Sequence, residues 1–308
     1  MLSMELRKTM KNNGEIIVKP IDKELAKDMC IKFHYAHKWQ TLFGRYCFGI
    51  FKADEPDKCL GCAVFGNMMN PQSYKSINSK ATQENIVELN RLWVDDCLGR
   101  NTETVFLSLC FKWLKHNSPV KMVQSFADGR LGCGTIYKAA NFKYYGCKKT
   151  LFFETPITGE IVHKVPVENT RKISPFVGHN LGVIRNQYKA FYVYSYRYIY
   201  YIDKSYAEYS LYKEQPYPEY NKGQEYFEFT QAIGIITRCY LLCQHLELHN
   251  LAEEFMAYAK EHYTEEEIER ALKVSNTNKT LVEYFNSKTR NKQQDIKKIL
   301  AYNDKYSL

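Results

Sequence analysis

No run in this chain approaches the roughly 18 consecutive apolar residues that a membrane-spanning helix needs. The opening stretch MLSMELRKTMKNNGE is polar and charged, so it lacks the apolar centre of a signal peptide. Together these point to a soluble, cytoplasmic protein with no membrane partner. Paired cysteine motifs are also scarce. Cys59-Leu-Gly-Cys62 has metal-ligand spacing, but a structural zinc site needs a second such pair at suitable distance. The ten cysteines are scattered, most in apolar contexts such as SLCFKWL and GRYCFGIF, and read as reduced, buried thiols. Acidic charge is short: 34 Asp and Glu stand against 43 Lys and Arg. The shortfall is uneven. Residues 1–222 hold 32 basic and 21 acidic side chains, whereas residues 223–308 hold 11 and 13. A basic excess confined to the first part suits a polyanionic partner, most simply nucleic acid. On charge alone, a merely soluble basic surface fits as well.

Hydrophobic residues make up 45% of the 308, enough for a substantial core. The pattern predicts a strand at 15–20 and a helix over 22–34. A hairpin of RYCFGIFKA and KCLGCAVFG follows, then a polar loop and a strand over 85–94. A long helix at 102–116, a strand at 120–128, a short helix around LGCGTIYKAANF and a strand KYYGCKKTLFFE complete the run. Residues 155–190 read as irregular. The segment 191–212 holds nine tyrosines, and Tyr192, Tyr194, Tyr196, Tyr198 and Tyr200 alternate onto one strand face. That face reads first as core packing and second as a stacking surface for bases. Residues 223–308 are helical, and Thr264 with Glu267 forms a capping-box signature.

This order predicts an α/β fold: a GNAT-like mixed, mostly antiparallel sheet flanked by helices, with a C-terminal all-helical extension. The expected domains are 1–222, with an insertion near 155–190, and 223–308. In that layout an acyl-carrier cofactor enters between the fourth and fifth strands, and its pyrophosphate sits at the start of the following helix. The usual glycine-rich phosphate loop is missing, since DDCLGRNTET holds only Gly99.

Taken alone, each polar candidate has an ordinary reading. FHYAHKW (33–39) is an aromatic helix end, with His34, Tyr35, His37 and Trp39 in structural contacts. Asp128 caps a following helix, Tyr137 is core, Arg91 is an ion-pair partner, and Trp93 and Trp113 pack inside.

Four pieces in order change the weight of these readings. FHYAHKW, ELNRLWVDDCLGRNTETVFLS (88–108), SFADGRLGCGTIYKAANFKYYG (125–146) and YRYIYYIDKSYAEYSLYKEQPYPEY (196–220) together resemble the Mom family of phage DNA-modification proteins. The third piece is the most specific, with AD at 127–128, GTIY at 134–137, AANF at 139–142 and YYG at 144–146. The resemblance covers roughly residues 15–222. It implies a GNAT-like enzyme that adds an acetamido (carbamoylmethyl) group to N6 of adenine in DNA, shielding phage DNA from host restriction. It implies catalytic and iron-binding roles for His34, Tyr35, Asp128 and Tyr137. It implies contacts from Arg91, Asn101 and Thr104 to acetyl-CoA or a related two-carbon donor. The chain departs from the pattern at Thr104, where the family has serine, and at Cys133, where it often has histidine. The glycine-rich step between Asp128 and Tyr137 is one residue shorter.

The expected substrate is double-stranded DNA with the adenine turned out of the helix. Tyr144, Tyr145, Tyr196 and Arg197 are the candidate DNA contacts. A homodimer, and a protein partner for the helical tail, are further expectations. Two other readings remain: a GNAT N-acetyltransferase acting on a protein or tRNA amine, and a non-catalytic DNA-binding or host-interaction protein on the same scaffold.

Overall fold

A computed structural model describes residues 5–10, 14–40, 43–68, 70, 72–155, 158–163, 173–219 and 226–306. The chain divides into two compact units, Met1–Lys148 with Tyr194–Gln224, and Lys149–Val193 with Glu225–Leu308. The segment read as an insertion thus falls with the C-terminal helices. Among the described residues no helix is long and apolar enough to cross a membrane.

The first unit begins with β1 (Leu6–Met10), β2 (Gly14–Pro20) and the helix α1 (Lys23–Phe33). The hairpin β3 (Tyr46–Lys52) and β4 (Gly61–Gly66) follows, then β5 (Ile86–Val94) and α2 (Thr102–Asn117). Next come β6 (Met122–Asp128), α3 (Thr135–Ala139), β7 (Lys143–Glu154) and, after the short β8 (Ile161–His163) and the helix α4 (Ile173–Ile184), β9 (Lys189–Tyr201). The strand order is β1-β2-β3-β4-β5-β6-β9-β7-β8. β1 was not expected, because its exposed Arg7-Lys8-Thr9 hides the period. With it, the two strands expected to part become β5 and β6.

β5 and β6 are the parallel pair, whereas β1 to β5 run antiparallel and β9 runs antiparallel to β6. Their pairing stops early. Ile86, Val87 and Glu88 oppose Met122, Val123 and Gln124, and beyond Glu88 no register continues. On its other side β5 carries an irregularity: Arg91 opposes Val64 but Leu89 opposes Phe65, leaving Asn90 as the extra residue. This is the GNAT-like arrangement predicted, a mixed sheet that opens between two central strands.

The apolar face of α2 holds that sheet. Phe106, Leu107, Cys110, Phe111 and Leu114 recur at helical spacing and are buried. Phe111 stacks on Tyr200 with ring centroids 4.2 Å apart, and Tyr198 and Tyr200 join the same core. That much of the tyrosine stripe is packing.

In the second unit α4 was expected to be irregular. Pro175, Gly178 and Gly182 disguise it. A Cβ at Gly178 would come within 2.8 Å of the Tyr302 ring and one at Gly182 within 2.4 Å of Tyr188. The glycines there serve close approach rather than a turn. The C-terminal segment forms α5 (Ile233–His245), α6 (His249–His262), α7 (Glu265–Asn276), α8 (Lys279–Phe285) and α9 (Lys292–Tyr306). The Thr264–Glu267 capping box is present in both directions.

Candidate active site

Where β5 and β6 part, a cavity of about 240 Å³ opens. Leu89, Asn90, Arg91 and Leu92 line one side, and Phe126, Ala127 and Asp128 the other. His34 and Tyr35 close it from the end of α1, and the 131–137 segment leading into α3 closes it opposite. The sheet supplies the gap, so residues separated by up to about a hundred positions meet without any one element being unusual.

His34 is 5% exposed. Its Nδ1 accepts the Ala36 N–H at 3.1 Å, which leaves the neutral ring its proton on Nε2. Burial first, then the Arg91 charge, push its pKa down to about 4, so it is a neutral N–H donor at physiological pH. Tyr35 tilts over it with centroids 4.2 Å apart. Desolvation and the Asp128 charge raise the Tyr35 phenol. Arg91 is steered by its own surroundings: Nη1 donates to the Asn90 carbonyl at 2.6 Å, Nε to the Lys38 carbonyl at 3.3 Å, and its guanidinium lies 4.5 Å over the Phe43 ring.

Tyr137 accepts from Ser125 Oγ at 2.9 Å and donates to the Phe126 carbonyl at 3.4 Å. Burial lifts its pKa to about 12, so it stays a phenol. Asp128 does not cap α3, whose N-cap is Gly134. Instead its carboxylate is clasped by Arg130. Oδ1 accepts from the Arg130 backbone N–H at 2.9 Å and from Nε at 3.0 Å, and Oδ2 accepts from Nε at 3.0 Å and Nη2 at 2.6 Å.

This donor set does not fit iron as arranged. A ligating imidazole turns a lone pair to the metal and donates its other N–H to an acceptor; His34 does the reverse. The Asp128 lone pairs are taken by Arg130, and Tyr137 is held as a buried phenol. His37 does not line the cavity; its Nδ1 pairs with the Ile31 carbonyl at 2.9 Å. Among the described residues no group of three or more His, Cys, Asp or Glu side chains could hold a metal ion. The Cys59–Cys62 pair belongs to a small core with Cys30 and Cys47, where Cys30 and Cys62 Sγ lie 3.7 Å apart.

The other expected residues separate. Asn101 and Thr104 start α2, where Thr104 Oγ1 donates to the Asn101 carbonyl at 2.8 Å and Asn101 adopts φ 64°; neither lines the cavity. Tyr144 and Tyr145 are buried, which corrects their expected role as base contacts. Tyr145 donates to the Tyr201 hydroxyl at 3.1 Å, and Tyr144 packs on Tyr198. Tyr196 is half-buried in the same core. Arg197 lies 5.4 Å over Phe126 and 4.2 Å over Tyr212, and Lys148 lies 5.6 Å from Phe126, so both cations flank a ring that lines the cavity.

Glu88 escaped the sequence reading. It sits at the last paired position of β5, where Gln124 Nε2 donates to it at 3.3 Å and Asn90 Nδ2 at 3.4 Å. Desolvation raises its pKa to about 7, against the opposing pull of these amides, Arg91 and Lys148. The available signal was a carboxylate between the apolar residues Val87 and Leu89 of NIVELNRLWV.

Residues 15–219 match the family model described as the Mom protein family. Over 214 residues the chain is 29% identical to the methylcarbamoylase mom of Escherichia phage Mu, covering 67% of this chain and 84% of that protein. Solved structures of Arabidopsis thaliana NAA60 align at TM-scores of 0.38, in complex with acetyl-CoA, and 0.37, in complex with a bisubstrate analogue. They are 12% and 11% identical and cover 61% and 60% of this chain, and 99% and 97% of their own.

Proposed function

The chain belongs to the Mom protein family, and from that premise we propose that it is a DNA-modifying transferase that attaches an acetamido (carbamoylmethyl) group to N6 of adenine. It draws on an acetyl-CoA-like donor and protects phage DNA from restriction in the cytoplasm of the bacterial host. The observation that carries this reading is the convergence of His34, Tyr35, Arg91, Asp128 and Tyr137 on one cavity in the parted sheet.

The N6 amine is a poor nucleophile because its lone pair is delocalised into the ring. Attaching carbon to it therefore requires an activated donor, a fixed approach and a proton acceptor. The cavity is rich in donors. Attaching a carbamoylmethyl group forms a bond from N6 to the donor's methylene carbon and breaks that carbon's bond to the carrier, so His34 Nε2–H and the Arg91 guanidinium suit the donor's carboxamide oxygen, which they would bind and orient. Glu88, behind the cavity wall, accepts from the Asn90 and Gln124 amides and so positions Asn90, which lines the cavity. Asp128 acts through Arg130, fixing the loop between β6 and α3. The exposed Tyr35 ring offers a face for the extruded base, and Arg197 and Lys148 meet backbone phosphates. The N-terminus of α2, with Asn101 and Thr104, would hold the donor's phosphates.

Expression in bacteria followed by mass spectrometry of digested DNA tests the proposal. A new adenine nucleoside is expected, and alanine at His34, Arg91 or Tyr137 should reduce it at least about a hundredfold, the scale of losing one preorganised donor. Soluble protein with only ordinary nucleosides and methyladenine would refute it. Acetyl-CoA consumption without DNA would favour the N-acetyltransferase reading, and DNA binding that ignores His34→Ala, with no adduct, the non-catalytic one.

A further inference from the structure

Three large apolar side chains that line the cavity stand in solvent: Leu131 is 65% exposed, Tyr35 55% and Ile136 41%. Scattered exposed apolar residues are ordinary, but three around one cavity mark a contact surface. Leu131 is the most exposed of the three, and its position is imposed by a rigid turn. Leu131 N–H donates to the Asp128 carbonyl at 2.8 Å, and Gly129 N–H ties the turn to the Tyr194 carbonyl at 2.9 Å. The Arg130 clasp on Asp128 braces the turn from within. Below it the Tyr198 hydroxyl donates to the Cys133 carbonyl. Four restraints thus hold an isobutyl group in water at the mouth of the cavity.

We propose that Leu131 is a wedge that enters the base stack of duplex DNA and fills the space left by the extruded adenine. The inference rests on the adenine-modification reading and adds how the base is taken out of the helix. A base leaving a duplex opens an apolar slot between its neighbours, and an inserted aliphatic side chain offsets the lost stacking. A rigid turn suits this role because a flexible one would fold the side chain back onto the protein. The charge around the mouth matches the same occupant: Arg197 and Lys148 flank Phe126 on the cavity wall, and the basic surplus lies in residues 1–222. Tyr35, on the far side of the cavity, then meets the displaced base rather than the stack.

The test uses the full chain in lysate of expressing bacteria, which supplies the donor. The substrates are a duplex pool with paired adenines and the same pool with adenine opposite an abasic site, where extrusion is nearly free. Leu131→Ala should lower adduct at paired adenine about tenfold or more while changing it less than about twofold opposite the abasic site, since only the paired base needs the gap filled. Leu131→Phe should retain duplex activity. Equal loss on both substrates, or no loss on the paired one, overturns the wedge. Both variants should melt with the wild-type protein, because Leu131 contributes little to the core. Wild-type protein that modifies neither substrate refutes the adenine-modification reading itself, and the wedge with it.

Discussion

Replacing Glu88 with glutamine should stabilise the protein at alkaline pH and leave it nearly unchanged at acid pH. A carboxyl whose folded pKa lies above its unfolded value holds its proton more tightly when folded. Its favourable contribution is therefore present below about 4.5 and lost as pH rises through about 7. The displacement from 4.5 to about 7 corresponds to at most about 3.5 kcal/mol, at roughly 1.4 kcal/mol per unit. Glutamine removes the charge and keeps the shape. Asn90 Oδ1 and Gln124 Oε1 are buried without a hydrogen-bond partner among the described residues, so rotated amides give the new carboxamide N–H groups acceptors. Melting temperatures of both proteins are measured from pH 5 to pH 8.5. For a unit of this size, about 2–4 °C per kcal/mol places the variant some 7 °C or more above wild type at pH 8.5, with the gap narrowing to a small fraction of that near pH 5. A difference that is the same at both ends would refute the desolvated-carboxyl argument. Adduct formation by the variant should fall even where it is more stable, which separates the chemistry from the fold.

His34 predicts the opposite slope. Its pKa falls from 6.5 to about 4, so stability is lost as pH drops through that window, by up to about 3 kcal/mol, and His34→Asn should flatten the acid limb of the same melting curve. Gly134→Ala places a Cβ 2.6 Å from the Tyr198 ring at a φ of +99°; a loss of at least about 1–3 kcal/mol and of the adduct is expected, and a wild-type melt would contradict the close approach. Thr264→Ala removes the capping box of α7, and a loss of about 1 kcal/mol should appear in denaturant melts of the full chain.

Local pattern carried the elements. Helical spacing in TETVFLSLCFKWLKH, alternation in the tyrosine stripe and the Thr264–Glu267 signature each needed only neighbours along the chain, and the helix, the strand and the cap are present. His34, Tyr35, Arg91, Asp128 and Tyr137 were legible as a set through their order, and they share a cavity. What those side chains do there was not legible. Sequence does not record that β5 and β6 part after Glu88, that Arg130 occupies the Asp128 carboxylate, or that His34 Nδ1 faces an N–H. The resemblance implied an iron site at these residues. The hydrogen bonds at His34 and Asp128 do not fit one as arranged, and their direction exists only once the backbone is placed. Tyr144 and Tyr145 are adjacent, so alternation puts them on opposite faces of β7; that both faces are covered there is a tertiary fact. Glu88 shows the same limit from the other side. Its identity as a carboxylate is in the sequence, but its near-neutral pKa comes from desolvation and from the amides of Asn90 and Gln124, one of them thirty-six residues away.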